Sequence, residues 1–255
     1  MKLAEMTWPE VASLDRDQVL VLAPIAASEQ HSRHLPTFTD TILCGGIADR
    51  VEERLPKKVL CLPVFWWGAS DHHLPFGATL TAEVDTHVAV LRELLTPMLE
   101  SGFRRLMILN GHGGNIDTLH VALRGLQPRY PDRLLSGASY WEIAGKELAE
   151  LAQGPKREMG HACEFETSMM LYLRPELVRR QEIQNDPETT PEALRGLYLA
   201  QDFGQRTQRG AVGYPEFASA ESGKRMIDAV VARVVTVCES LLELPIRKGR
   251  IRRDV

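Results

Sequence analysis

Residues 18–27 form a continuous apolar run rich in Val and Leu, without the polar alternation of a half-exposed strand. A strand of that kind is buried on both faces, which points to a parallel sheet covered by helices rather than an antiparallel sheet with one wet face. The rest of the chain supplies the expected partners. Strands are read at 59–65, 103–109 and 134–140, and helices at 40–55, 81–100, 115–126, 142–152, 164–173 and 220–244. Pro56, Gly102, Pro128 and Pro175 punctuate the ends of four of these helices. In the last helix Met226, Val230, Val234, Val237 and Leu241 recur at helical spacing. The fold class read from this pattern is α/β with a mostly parallel central sheet, and no repeat or low-complexity linker divides residues 1–255, so one domain is expected.

Three stretches interrupt the periodic pattern. Residues 66–81 hold two Trp and two His among turn residues, 154–160 is a short loop, and 181–215 is weakly periodic. Long irregular segments of this kind often carry function, and 181–215 is expected to cover or border the site.

A net charge of -4 with dispersed Lys and Arg argues against nucleic acid or an anionic membrane as partner; only residues 247–253 are strongly basic, and they read as a solvated end. The first residues lack the basic start and apolar core of a secretory signal, and no apolar run approaches the roughly 20 residues of a membrane span. Cys44, Cys61, Cys163 and Cys238 are far apart and read as reduced thiols, which places the protein in the cytoplasm.

The chemistry gathers just past two strands. Glu29 and His31 follow the first, and at i and i+2 of an extended segment they face the same way. Asp40 opens the next helix and reaches back toward them, while His112 sits in the glycine-rich turn Asn110-Gly111-His112-Gly113-Gly114-Asn115 after the third strand. Ligands of open α/β sheets bind outside the carboxyl ends of the strands, so all four belong on one edge. Any one of them alone is an ordinary loop hydrogen-bonding residue, and Asp40 alone is an ordinary N-cap. Together they form an oxygen and imidazole set suited to zinc, manganese, iron or cobalt, and a carboxylate at Asp40 can bridge two ions.

A third cluster, His161 to Ser168, places His161, Glu164 and Glu166 around a helix start, where they can supply an acid or base and one more ligand; helix-dipole pairing is the plainer role for the two Glu. One of His72 and His73 is expected to line the pocket. Competing motifs fail: a dinucleotide fingerprint from Gly111 requires glycine where Ile116 stands, and no Ser occupies a nucleophile elbow.

These motifs, with Glu29 to Pro36, His72 to Thr79, Gly210 to Pro215 and Ala220 to Gly223, resemble the creatininase (creatinine amidohydrolase) family. The resemblance implies a three-layer α/β/α sandwich, commonly hexameric, hydrolysing a C–N bond of a small molecule with two divalent metals. Zinc is the first expectation, with manganese or iron as alternatives. It implies that Glu29 and His112 hold one metal, His31 the other, that Asp40 bridges, and that His161 is the acid or base. Two departures qualify it. Creatininase proper carries a metal-binding Glu where this chain has Gly114, so Glu164 first, and Glu166 second, are the candidates to replace it, Glu166 otherwise serving catalysis. Creatininase proper also has a stacking Trp where this chain has Arg157, so an anionic substrate other than creatinine is expected, with Arg157, His73 and Asn115 on the substrate side.

Overall fold

The computed structural model describes residues 1–194 and 196–247. The basic tail therefore lies, beyond Arg247, outside the described residues. Four parallel strands, β1 (Leu20–Ile25), β2 (Val59–Cys61), β3 (Arg105–Asn110) and β4 (Leu134–Ser139), stand in the order β2-β1-β3-β4. Around them lie α1 (Trp8–Ala12), α2 (Thr39–Arg54), α3 (Val84–Glu100), α4 (Ile116–Leu126), α5 (Tyr140–Ile143), α6 (Gly145–Leu151), α7 (Glu164–Leu173), α8 (Phe203–Arg206) and α9 (Ala220–Glu243).

The sheet is covered on both faces, as the unbroken apolar run requires. Leu20 and Leu22 of β1 pack with α2, α7 and α9, whereas Val21, Ala23 and Ile25 face α3 and α4 across the sheet. All six residues of β1 are buried, so the three-layer α/β/α architecture follows directly from this strand.

Two elements differ from their expected bounds for identifiable reasons. The second strand stops at Cys61 because Pro63 lacks an N–H, and pairing resumes only as a single bridge between Ile25 and Phe65. Pro24 is tolerated inside a central strand for a related reason: its carbonyl accepts from Phe65 on this same side, where the ladder is already broken, so its missing N–H forfeits nothing. The helix expected over 142–152 is two short ones. Ser139 and Glu142 form a capping box that starts α5 early, and the chain leaves helical geometry at Ala144 before Gly145.

α7 is buried along Glu164–Leu171, and α9 crosses it at very close range. Gly223 makes this possible, since a Cβ there would overlap the Ser168 carbonyl and approach Met169 N to 2.9 Å. Gly145, by contrast, has nothing within 4 Å of its ideal Cβ. Alanine is favoured over glycine within helices by about 1 kcal/mol, so Gly145→Ala is expected to be neutral or stabilising. Gly223→Ala is expected to destabilise by about 3 kcal/mol, because overlap with rigid backbone outweighs propensity. Urea unfolding of the two variants checks this; equal midpoints would refute it.

Candidate functional site

In the parallel register Ile25 pairs with Asn110 and Asn110 with Ser139, so β1, β3 and β4 end level and their following segments leave from one edge. Asn110 shapes the first of these turns: its amide donates to His112 O at 2.7 Å and Ser139 Oγ at 3.1 Å, and its carbonyl accepts His112 N at 3.1 Å. Gly111 is required here, because a Cβ would sit 2.6 Å from Cys44 Cβ on α2.

Each of the two central imidazoles is fixed by a backbone carbonyl. His112 Nε2 donates to Ala69 O at 3.0 Å, and His31 Nδ1 donates to Glu29 O at 3.2 Å. These bonds set the tautomers and leave His112 Nδ1 and His31 Nε2 as the free nitrogens. His112 Nδ1 faces Glu29 Oε1 at 3.2 Å and Asp40 Oδ2 at 3.0 Å. His31 Nε2 faces Asp40 Oδ1 at 2.9 Å and Glu166 Oε1 at 3.7 Å. Asp40, in the first turn of α2 rather than at its N-cap, thus stands between the two imidazoles with one oxygen toward each.

Glu29 Oε2, His31 Nε2 and Asp40 Oδ2 are buried without a hydrogen-bond partner. Converging acceptors of this kind repel unless a cation lies between them, either a proton or a metal ion. Ligand atoms of His31, Asp40 and Glu166 lie within 4.8 Å of one another, as do those of Glu29, His72 and His112. Glu29, His31 and His161 form a third such set; His72 is half-buried, the other members are buried, and oxygen and nitrogen donors of this kind suit divalent ions of the borderline class.

The two carboxylates of α7 point in different directions. Residues two apart on a helix lie about 200° apart around its axis. Glu166 therefore turns toward His31, while Glu164 turns away and accepts Gln153 N at 2.6 Å and Gly154 N at 2.8 Å. Glu164, the first candidate for the second metal, is thus spent on two backbone amides, and Glu166, the second candidate, is the one that lies beside His31 and Asp40. Position 114 leaves no room for a side chain: a Cβ there would overlap Ala69 O and approach His112 Nε2 to 2.5 Å and His72 Cε1 to 2.8 Å.

His161 lies at the turn into α7, followed by Ala162 at φ 46°, a left-handed conformation costly for alanine. Its Nε2 donates to Gln30 O at 2.8 Å, which leaves Nδ1 open, 3.6 Å from Glu29 Oε1. His73 bonds Glu29 Oε1 at 3.2 Å through Nε2 and accepts from Gln30 Nε2 at 2.8 Å through Nδ1. The Gln30 amide also donates to Gly210 O at 2.9 Å, so it ties the cluster to the 181–215 segment. Gln30 and Phe203, whose ring stacks on His73 at 4.0 Å, were not singled out from the sequence; an uncharged amide and a lone Phe carry no chemical signature.

The cluster opens into a cavity of about 790 Å³ bordered by His72, His73, Trp141, Lys156, Phe203 and Arg206, among others. Two residues expected on the substrate side are absent from its wall. Arg157 is exposed and donates to the carbonyls of Ala149, at 3.4 Å, and Ala152 at the end of α6. Asn115 is fully buried, and its amide is spent on Ala26 O at 3.0 Å, Asn110 Oδ1 at 3.3 Å and Ala69 N at 3.0 Å. Both are corrected to structural roles: one caps a helix end, the other ties two strand ends to the loop at 69.

Electrostatics separate the imidazoles into two kinds. Burial is the largest influence on His112 and lowers it, but Glu29 and Asp40 outweigh burial and raise it to about 10; Asp40 and Glu166 hold His31 well above its ordinary value against the same opposition. His161 is pushed well down by burial and by His31, and His73 by burial and His161. Burial pushes Asp40 up, yet the imidazoles flanking it hold it well below the usual carboxylate range. A histidine raised in the folded state contributes stability that is complete below its unfolded value near 6.5 and is lost as pH climbs through the folded value. The metal-free protein is therefore expected to lose thermal stability between about pH 6.5 and 10, and the metal-saturated protein to lose much less, since ions replace the protons. Melting curves with EDTA or with zinc across that range check this; parallel curves would refute it.

Fold and site together define an α/β protein with a buried, cation-demanding carboxylate and imidazole cluster at the carboxyl edge of a parallel sheet. The creatinine amidohydrolase family model matches residues 4–238, and the chain belongs to that creatininase family, whose members are hydrolases acting on C–N bonds. It is 28% identical to a mycofactocin precursor peptide peptidase of Mycobacterium ulcerans over 89% of this chain and 85% of that one. It is 29% identical to a creatinine amidohydrolase of Pseudomonas putida over 90% and 92% respectively. A solved creatininase variant complexed with creatine superposes with a TM-score of 0.78 at 25% identity, covering 96% of this chain and 98% of that one. Other solved creatininases of this fold include manganese and Zn-Zn forms.

Proposed function

We propose that the protein is a divalent-metal-dependent amidohydrolase that cleaves an amide or cyclic amide C–N bond of a small molecule. The observation that carries this reading is the pair of half-shells sharing Asp40, each with an imidazole whose other nitrogen is anchored on a backbone carbonyl. Glu29 and His112 would hold one ion, His31 and Glu166 the other, with Asp40 between. Zinc is the first expectation and manganese or iron the alternatives. When bound, such ions supply Lewis acidity and lower the pKa of water.

The chain's own residues supply the rest. His161 is neutral and presents Nδ1 toward the cluster, where it can take up a proton beside the scissile bond and return it to the leaving nitrogen. Gln30 holds His161 and His73 in register. Phe203 lines the cavity edge-on to His161 and stacked on His73, and residues 198–202 continue the wall on that side. Relatives at 28% and 29% identity act on different substrates, so similarity alone does not choose between them. A cavity of about 790 Å³ exceeds what a single small ring needs, which favours a substrate other than creatinine. Residues 1–255 as one domain, a cytoplasmic location and a homo-oligomer, a hexamer as in the family, belong to the same proposal. Among the described residues no helix is long and apolar enough to cross a membrane.

The test is elemental analysis of the metal-loaded protein joined to a mass-spectrometric screen of creatinine, formamides, lactams and short peptides. Two ions per chain and turnover of an amide other than creatinine are expected. Fewer than one ion per chain, with no hydrolysis, would sink the reading in favour of a non-catalytic binding subunit.

A further inference from the structure

The cavity wall carries two cations that the cluster does not use. Lys156 lies in the 154–160 loop and Arg206 ends α8, and Glu188 lies between them, 3.8 Å from Lys156 Nζ and 4.0 Å from Arg206 Nη1. Charge-assisted hydrogen bonds close to about 2.7–2.9 Å, so neither cation grips Glu188 fully. Arg206 Nε is buried without a hydrogen-bond partner. The guanidinium carbon sits 4.3 Å from the centre of the Phe203 ring, and Phe203 stacks in turn on His73, which bonds Glu29. A continuous stack thus leads from the metal-binding carboxylate to the guanidinium at the cavity wall.

We propose that Lys156 and Arg206 form an anion-binding subsite for the substrate, whose carboxylate takes the place that Glu188 holds in its absence. This rests on the amidohydrolase reading and adds the substrate class: an amide carrying a carboxylate a few bonds from the scissile carbonyl. The subsite is local. Asp71 and Asp117 also border the cavity and are exposed, and Asp202 spends its carboxylate on Gln205 N at 3.0 Å as the cap of α8, so the wall offers no general attraction for anions. Recognition depends on two donors converging on one carboxylate. It also explains how a chain with Arg157 committed to a helix end can still select an anion.

The test uses a matched pair of probes, succinic monohydroxamate and its neutral primary amide, in which the hydroxamate addresses the metal centre and only the other end differs. Calorimetry on the zinc-loaded protein is expected to show the acid binding roughly 10- to 100-fold tighter than the amide. The ratio should fall to about one in the Lys156→Gln, Arg206→Gln double variant. Glu188→Gln should tighten binding of the acid several-fold and leave that of the amide unchanged, a response that mere structural damage would not give. Equal binding of both probes to the native protein, or an unchanged ratio in the double variant, overturns the proposal. If neither hydroxamate binds, the metal-centre reading has failed, and glutarate decides the subsite on its own: binding that the double variant loses supports it, and no binding overturns it.

Discussion

Glu166→Gln is expected to reduce bound metal from two ions per chain to one and to cut amide hydrolysis by about a thousandfold or more, while Glu164→Gln keeps both ions. The two residues are two apart in sequence and nearly opposite on the helix. Glu166 Oε1 is directed at His31 Nε2, and an amide there would offer a weaker, uncharged ligand to the ion that His31 and Asp40 would otherwise hold on the proposed reading. Loss of one ion removes several kcal/mol of charge stabilisation, and each 1.36 kcal/mol is a factor of ten in rate. Glu164 instead receives the amides of Gln153 and Gly154. Its Gln variant keeps one acceptor and turns a donor toward the other amide, so the expected loss is one of stability, about 1–3 kcal/mol. Metal content by mass spectrometry and melting temperature separate the two. If Glu164→Gln lost the ion and Glu166→Gln kept it, the assignment from helix geometry would be wrong.

What the sequence displayed and what it hid divide along physical lines. The run before Glu29 made β1, and with it the parallel sheet, readable because burial on both faces leaves a compositional trace in every residue. Glu29, His31, Asp40 and His112 were readable for a different reason: strand ends and turn motifs fix where a side chain begins, and those four begin on one sheet edge. Direction within a helix was less accessible. Choosing Glu166 over Glu164 required the phase of α7, set by the turn at Ala162, whose left-handed φ no pattern announces. Arg157 misled because a guanidinium in a loop near the site is equally suited to a ligand and to a helix C-terminus, and only its contacts with the end of α6 decide. Asn115 misled in the same way, since a conspicuous turn motif can serve the turn itself. Lys156, Arg206 and Phe203 come together through a segment of weak periodicity, where sequence distance carries no information about spatial distance.

Asp40→Asn is expected to have the largest effect of any single change: less than one ion bound per chain and no measurable turnover. One carboxylate serves both imidazoles, 2.9 Å from His31 through Oδ1 and 3.0 Å from His112 through Oδ2. Asparagine retains one oxygen and replaces the other with an NH2 donor, which can satisfy one imidazole nitrogen by a hydrogen bond but cannot share a cation with it. Both half-shells therefore lose a ligand at once, whereas Glu166→Gln impairs one. The same substitution has a readout independent of metal. Asp40 is among the groups that hold His31 and His112 above their ordinary values, so its removal lets both imidazoles lose their protons earlier. Stability gained from raised histidines is complete below about pH 6.5, the share of His112 is lost as the pH climbs through about 10, and the variant lacks much of that gain. In EDTA the difference in melting temperature between native and variant protein should accordingly be widest near pH 6 and shrink as the pH approaches 10. A difference that stayed constant, or widened with pH, would show that Asp40 acts through packing at the start of α2 and not through the charges it places between the two imidazoles.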